Sequence, residues 1–381
     1  MKKLCLLVVL ILTLSFVQAQ KVQDKLVRML PAFSSLNIER GFLGNVILCQ
    51  SPESKLEIAV VSADHNAEYI ASEVANGKLT LSIKEHPQKS LDLKVLYVKI
   101  YSPKFDSVTS EGTCDITIEN EIKGDNFTLA LNGPGNTQIY GLQMRKDIEI
   151  ITSSARVLTV KQEMCCENFT LDANGAGDIH INELQMRKNI VINASGASRL
   201  YIKKCQAEDI VMQLAGTGIF KVGEITGMTS NNKVTINTSR VGNIVLENIS
   251  ADNLFLKKTN AGYLFLTDVS ANELRLKNEG TGNVKVTGNV VDVDIYNDGV
   301  GNFYATGLTA ENANVVNNSL NAIHLKVKDT AYISGEVTQN DSITSMGVVK
   351  VSGPAKVFLM VPILDPKTGE ETGEKAKVQI K

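Results

Sequence analysis

The chain of 381 residues has no tryptophan, four histidines, eight prolines and only 5% aromatic residues. So few rings leave little platform for stacking sugars or bases. Neither sign of charge is in excess, since 39 Lys and Arg face 41 Asp and Glu for a formal net of −2. Without a basic field to hold phosphates, nucleic acid is excluded as the expected partner. His65, His86, His180 and His324 stand at no motif spacing from Ser, Asp or Cys partners, so no catalytic residue is assigned. After the first twenty residues no apolar run approaches the roughly 20 needed to span a bilayer, and no transmembrane segment is expected there.

Those first residues, "MKKLCLLVVLILTLSFVQAQ", read as a secretory signal peptide over 1–19. Lys2 and Lys3 precede an apolar run, and Val17 and Ala19 stand at −3 and −1 to a cleavage point. Export is therefore expected, to the periplasm, the outer-membrane surface or the exterior. Cys5 precedes the apolar run, the wrong side for a lipoprotein anchor. Five cysteines then remain, Cys49, Cys114, Cys165, Cys166 and Cys205, an odd number that argues against a complete disulfide framework. No paired C-x-x-C pattern with nearby histidines suggests zinc, so the thiols read as small buried hydrophobes and no metal or cofactor is assigned.

What the chain does contain is repetition. "FTLALNGPGNTQIYGLQMRK" at 127–146 returns as "FTLDANGAGDIHINELQMRK" at 169–188, and weaker copies follow at about 20 residues to near Val349. Each copy has two apolar residues two apart, a glycine-rich turn, two more apolar residues two apart, and often a fifth. Spacing by two means strand, because successive side chains of a strand face opposite sides. Phe169, Leu171, Ile179, Ile181 and Leu184 are therefore expected inside, and His180 outside. Gly175 and Gly177 mark a corner requiring positive φ or close backbone approach, as do Gly133/Gly135, Gly216/Gly218, Gly280/Gly282 and Gly299/Gly301. A unit turning about three times in 20 residues is one coil of a right-handed parallel β-helix. Leucine-rich repeats need a different signature, and propeller blades are longer.

Energetics require the copies to stack. Five buried aliphatic side chains contribute roughly 8 to 15 kcal/mol, whereas ordering 20 residues costs at least about 20 kcal/mol of backbone entropy. One coil alone cannot fold. The expected organisation is all-β: signal peptide at 1–19, a β-rich cap at 33–103, β-helix repeats at 104–353, and an edge strand with a charged tail at 354–381, its last dozen residues disordered. Within the cap, "DHNAEYIASEVANG" at 64–77 reads as one short helix. A copy about four residues longer than its neighbours, at 223–232, is either a protruding loop or a break between two stacks.

Few side chains suggest chemistry. Asp172, Asp178, Glu167 and Glu183 could bring carboxylates together on adjacent coils, although outward charge is expected for solubility alone. Tyr140, Tyr201, Tyr296 and Tyr304 fall at different offsets in their copies. Asn136, Asn243, Asn283 and Asn302 follow the second glycine, where stacked amides can form a ladder. The N-x-[ST] matches at Asn126, Asn168, Asn193, Asn237 and Asn248 arise as by-products of the repeat. "MRK" at 144–146 and 186–188 forms a solvated corner or a small anion-attracting spot.

The recurrent "GPGNTQI", "GAGDIHI", "GTGNVKV" and "GVGNFYA", following "LDLKVLYVKIYSPKFDSVTSEGTCDITI", resemble the head GIN domain family, also called putative auto-transporter adhesins. The resemblance covers roughly 33–350. It implies an exported protein with right-handed β-helix-like repeats, and it supplies no catalytic residues. Two departures stand out: "TSSARV" replaces the glycine turn in the copy at 147–167, and the roughly 30 residues after Val351 cannot form a transporter's C-terminal barrel. The expected function is a non-enzymatic adhesin or scaffold whose partner is a host or envelope glycan or protein. The alternative is a polysaccharide-active β-helix lyase or hydrolase.

Overall fold

The computed structural model describes residues 24–61, 67–84, 95–240, 242–319, 323–334, 349–352, 356–364 and 371–380. The segment 1–19 expected to be a signal peptide, His65 and His86 lie outside the described residues. Among those described, 71% are strand, and the chain forms a β-solenoid of about 11 turns.

One coil shows how the repeat closes. Asp147–Thr152 forms face one, a corner follows at 153–156, and Val157–Ala173 then runs over face two and face three and returns to face one as the next coil. Parallel register joins the rungs, so Ile148, Phe169, Ile190, Ile210 and Val234 stack as successive partners in one inward column. Phe169, Leu171, Ile179, Ile181 and Leu184 are buried as expected, while His180 between two of them is exposed. Each buried side chain of this size contributes roughly 1.5 to 3 kcal/mol, but only where a neighbouring coil covers it.

The corner glycines answer mainly to close approach. A Cβ on Gly177 would stand 1.7 Å from the carbonyl oxygen of Arg156, one coil earlier, and on Gly218 it would stand 1.6 Å from that of Ser198. Of the five glycine pairs only Gly135 has positive φ. The coil reading "TSSARV" solves the same corner with a side chain. Arg156, 1% exposed, donates from Nε to the Gly133 carbonyl at 2.9 Å, from Nη1 to Cys114 O at 2.9 Å and Thr137 Oγ1 at 3.1 Å, and from Nη2 to Pro134 O at 3.0 Å.

A polar column runs inside the later coils. Thr238, Lys258, Asn278, Asn297 and Asn317 are successive partners, all buried. Asn278 Nδ2 donates to Asn297 Oδ1 at 2.7 Å, and Asn297 Nδ2 donates to Asn317 Oδ1 at 2.8 Å. This is the amide ladder, displaced from the slot expected after the second glycine. At that slot the nearest donor one coil up is a main-chain N–H: Asn283 Oδ1 accepts from Asn302 N at 3.1 Å, and Asn243 Oδ1 from Tyr263 N at 3.3 Å.

At the opening end, Ser35–Ile38 and Leu43–Gln50 still stack in parallel on the first coil. Antiparallel pairing begins beyond them, where Lys55–Val61 lies between Val95–Ser102 and Asp24–Met29. The helix expected at 64–77 is not formed. Ala67–Tyr69 is a single 3-10 turn, and Ile70–Ala75 is a strand in a hairpin with Lys78–Ile83. The hairpin turn is Asn76-Gly77, with φ of 52° and 72°, the pair a tight two-residue turn demands. Alternation of Ile70, Ser72 and Val74 outweighs the local helix signals once the partner strand supplies main-chain bonds.

At the other end Lys356–Leu364 stacks on Ile323–Ser334 and pairs antiparallel with Glu371–Ile380. The tail expected to be disordered is therefore a strand over most of its length. The longer copy at 223–232 is a loop: Lys233–Thr238 pairs on one side with Asp209–Leu214 and on the other with the next coil, so the ladder continues through it.

Candidate binding face

Register turns the outward residues of face two into a line. Gln138, Thr159, His180, Tyr201, Lys221, Val245, Phe265, Lys285, Tyr304 and His324 are successive partners across nine rung steps. At about 4.8 Å per rung this column is roughly 43 Å long. No carboxylate falls in it. Each member is outward because its strand neighbours are core residues: Ile179 and Ile181 flank His180, and Leu200 and Ile202 flank Tyr201.

Rings and cations share this line. His180 stacks on Tyr201 with centroids 5.1 Å apart and planes 10° off parallel, and Tyr263, on the flank, stacks on Phe265 at 5.0 Å and 18°. Tyr263 and Tyr304 are 42% and 48% exposed, a large apolar area to leave in water. A shallow depression of about 450 Å³ is lined by His180, Tyr201, Lys203, Lys221 and Glu247. Acids occur only beside the column and are matched there: Lys221 Nζ meets Glu247 Oε1 at 2.9 Å, and Arg199 Nε meets Asp178 Oδ1 at 2.9 Å. The Arg199 hydrogen bond holds the Asp178 carboxyl below its ordinary range.

Thus Tyr201 and Tyr304, at different offsets in the sequence, share one column, while Tyr296 lies on face one and Tyr140 at the corner after face two. Coil length hides this. Lys221 and its partner Val245 are 24 residues apart, and Lys285 and Tyr304 are 19 apart, so a fixed period drifts out of register.

A second depression, of about 400 Å³, lies on face one among Phe255, Lys257, Arg275, Lys277, Asp294 and Tyr296. Its groups answer one another. Lys233 and Arg275 cover the Phe255 ring at 4.9 and 5.1 Å, and Lys277 covers Tyr296 at 5.1 Å. Arg275 also meets Glu273 at 2.5 Å, and Lys277 meets Glu279 at 2.6 Å. On face one the rings are thus covered by cations, whereas on face two Lys221 and Arg199 are paired but the rings stack on one another.

The four carboxylates singled out in the sequence each find a separate partner on the next coil. Asp172 accepts from Asn193 at 2.7 Å, Glu183 faces Lys204 at 3.9 Å, Glu167 faces Lys188 at 3.1 Å, and Asp178 is held by Arg199. The "MRK" corners are likewise answered, by Asp125 against Arg145 at 2.7 Å and by Glu167. Among the described residues no three His, Cys, Asp or Glu side chains gather as metal ligands, and no helix is long and apolar enough to cross a membrane. The five cysteines are free, and all but Cys165 are buried. Burial pushes the Cys166 and Cys205 thiols up to about 12, which leaves them poor nucleophiles at neutral pH.

The profile of the family described as "Putative auto-transporter adhesin, head GIN domain" matches residues 32–224 and 225–353. Among solved structures, a putative adhesin of Bacteroides fragilis is 22% identical, with 59% of this chain and 95% of that one covered at a TM-score of 0.47. A putative adhesin of Parabacteroides merdae is 13% identical over 88% and 90% of the two chains, at 0.29. A putative cell adhesion protein of Clostridium sporogenes is 12% identical over 59% and 98%, at 0.19. No curated protein matches the chain.

Proposed function

Because the chain belongs to the family described as "Putative auto-transporter adhesin, head GIN domain", we propose that it is an exported, non-enzymatic adhesin or scaffold that engages its partner along face two. The carrying observation is the acid-free column from Gln138 to His324, in which rings and cations line one side of a rigid stack. Binding here is by surface area and repetition, and the carboxylates are matched to cations or amides instead of standing as an acid–base pair. Export rests on the first 19 residues, whose charged start and apolar run suit secretion to the periplasm, the outer-membrane surface or the exterior.

The test is a panel of glycans and envelope or host surface proteins offered to the full chain. Saturable binding without turnover, weakened by a Tyr201→Ser/Tyr304→Ser double variant and untouched by Lys257→Gln/Lys277→Gln on face one, is the expected result. Turnover of a glycan, abolished by a single carboxylate change, would establish the polysaccharide-active alternative instead. Recovery of the protein only in the cytoplasmic fraction would defeat the export half of the proposal.

A further inference from the structure

We infer that the occupant of face two is a carboxylate-bearing glycan chain laid along the rod axis, an inference that rests on the adhesin reading above. Three observations carry it. The first is charge: Lys221 and Lys285 stand in the column and Arg199 and Lys203 beside it, against the two acids Asp178 and Glu247, so this face is net positive on a chain whose formal charge is −2. Complementarity of this kind selects an anionic partner.

The second is spacing. Lys221 and Lys285 are three rungs apart, about 14 Å at roughly 4.8 Å per rung, with Val245 and Phe265 on the rungs between them. Two cations separated by two apolar rungs match a polymer whose charged groups recur at intervals along a chain of carbon-rich rings. The third is the absence of main-chain partners. Both edges of every face-two strand in this region are already bonded to neighbouring coils, so a peptide cannot add as a strand and would have to bind through side chains alone. A sugar ring needs no such edge: its C–H face rests on an aromatic ring while its carboxylate reaches the lysine beyond.

The experiment titrates the full chain with polygalacturonate oligomers of increasing length, with dextran, heparin and poly-glutamate as parallel probes. Affinity for polygalacturonate should rise with length until the oligomer spans Lys221 to Lys285, fall with added salt, and drop at least tenfold in the Lys221→Gln/Lys285→Gln double variant. The face-one Lys257→Gln/Lys277→Gln variant should bind as the parent does. Equal loss in both variants, or no loss in either, overturns the inference. So does tighter binding of heparin or poly-glutamate, which would point to a sulfated glycan or an acidic protein. If only dextran or a protein partner binds, and the Tyr201→Ser/Tyr304→Ser variant weakens it, the inference fails while the adhesin reading stands. If no probe or surface protein binds at face two, both fail.

Discussion

Arg156 donates from Nη1 to the main-chain oxygen of Cys114 at 2.9 Å, across the corner formed by Gly133 and Pro134. One guanidinium thereby ties its own coil to residues 42 positions earlier. Three carbonyls and a threonine hydroxyl take its hydrogens, so the corner that lacks glycines is filled and its acceptors are satisfied. Replacing Arg156 with Met leaves those acceptors buried and unpaired, at about 1 to 3 kcal/mol each where no water can enter. A loss of at least about 3 kcal/mol is expected from urea unfolding. Lysine should not rescue it, because a point charge cannot serve a fork of acceptors.

Close approach at the corners predicts an unusually severe glycine substitution. With a Cβ at 1.7 Å from the Arg156 carbonyl oxygen, Gly177→Ala must push two coils apart. The expected cost exceeds about 4 kcal/mol, or outright failure to fold. Gly124→Ala is the control, since the new methyl meets the Met144 sulfur at 3.2 Å, near the end of a flexible side chain. It should change stability by no more than about 1 kcal/mol. Thermal midpoints of the two variants decide the matter.

Lys258 predicts a pH signature. It is fully buried, its Nζ donates to Asn260 O at 2.9 Å, and desolvation lowers its pKa from 10.5 to about 8. Between those values the unfolded chain binds a proton that the folded one has released, so this group's contribution to stability rises with pH from about 8 to 10.5. Below pH 8 the penalty is fully present. Lys258→Met should therefore be more stable than the parent at pH 7, and the difference should shrink as pH rises to 10.5. A constant difference across that window would contradict the assignment.

The amide ladder predicts directionality. Asn297 both accepts from Asn278 and donates to Asn317. Asn297→Leu strands the Asn278 donor in the core, while Asn317 Oδ1 keeps the Ser319 N–H at 3.3 Å, and a loss of about 1 to 3 kcal/mol is expected from chemical denaturation. Asn297→Asp should be worse, since it removes the donor and buries a charge.

Thiol reactivity should report the core. Burial pushes Cys49 up to about 11 and Cys166 and Cys205 to about 12, and Cys165, half-buried beside Glu163, also rises to about 11. At pH 8 native protein should react slowly with iodoacetamide at all four positions, and in denaturant at ordinary thiol rates, as counted by mass spectrometry.

The repeat was legible because its physics is local. Phe169, Leu171, Ile179, Ile181 and Leu184 betray their inward direction through spacing by two, and His180 betrays its outward direction the same way. The face-two column was not legible, because partnership between Tyr201 and Tyr304 depends on hydrogen-bonded register summed over coils of unequal length. Arg156 escaped for a related reason: its acceptors belong to earlier coils, and nothing near it in sequence announces them. The supposed helix at 64–77 shows local signals losing to a partner strand that propensity cannot see.

The main-chain bonds of the stack point along the rod, each joining a coil to the next. Tension applied between its two tips would therefore peel coils singly from the loaded end, as a zipper opens tooth by tooth. A ligand gripping several successive coils along one side would act as a splint, sharing the pull among teeth that would otherwise part in sequence. For a tether working under flow, lengthwise attachment would give mechanical endurance as well as adhesion.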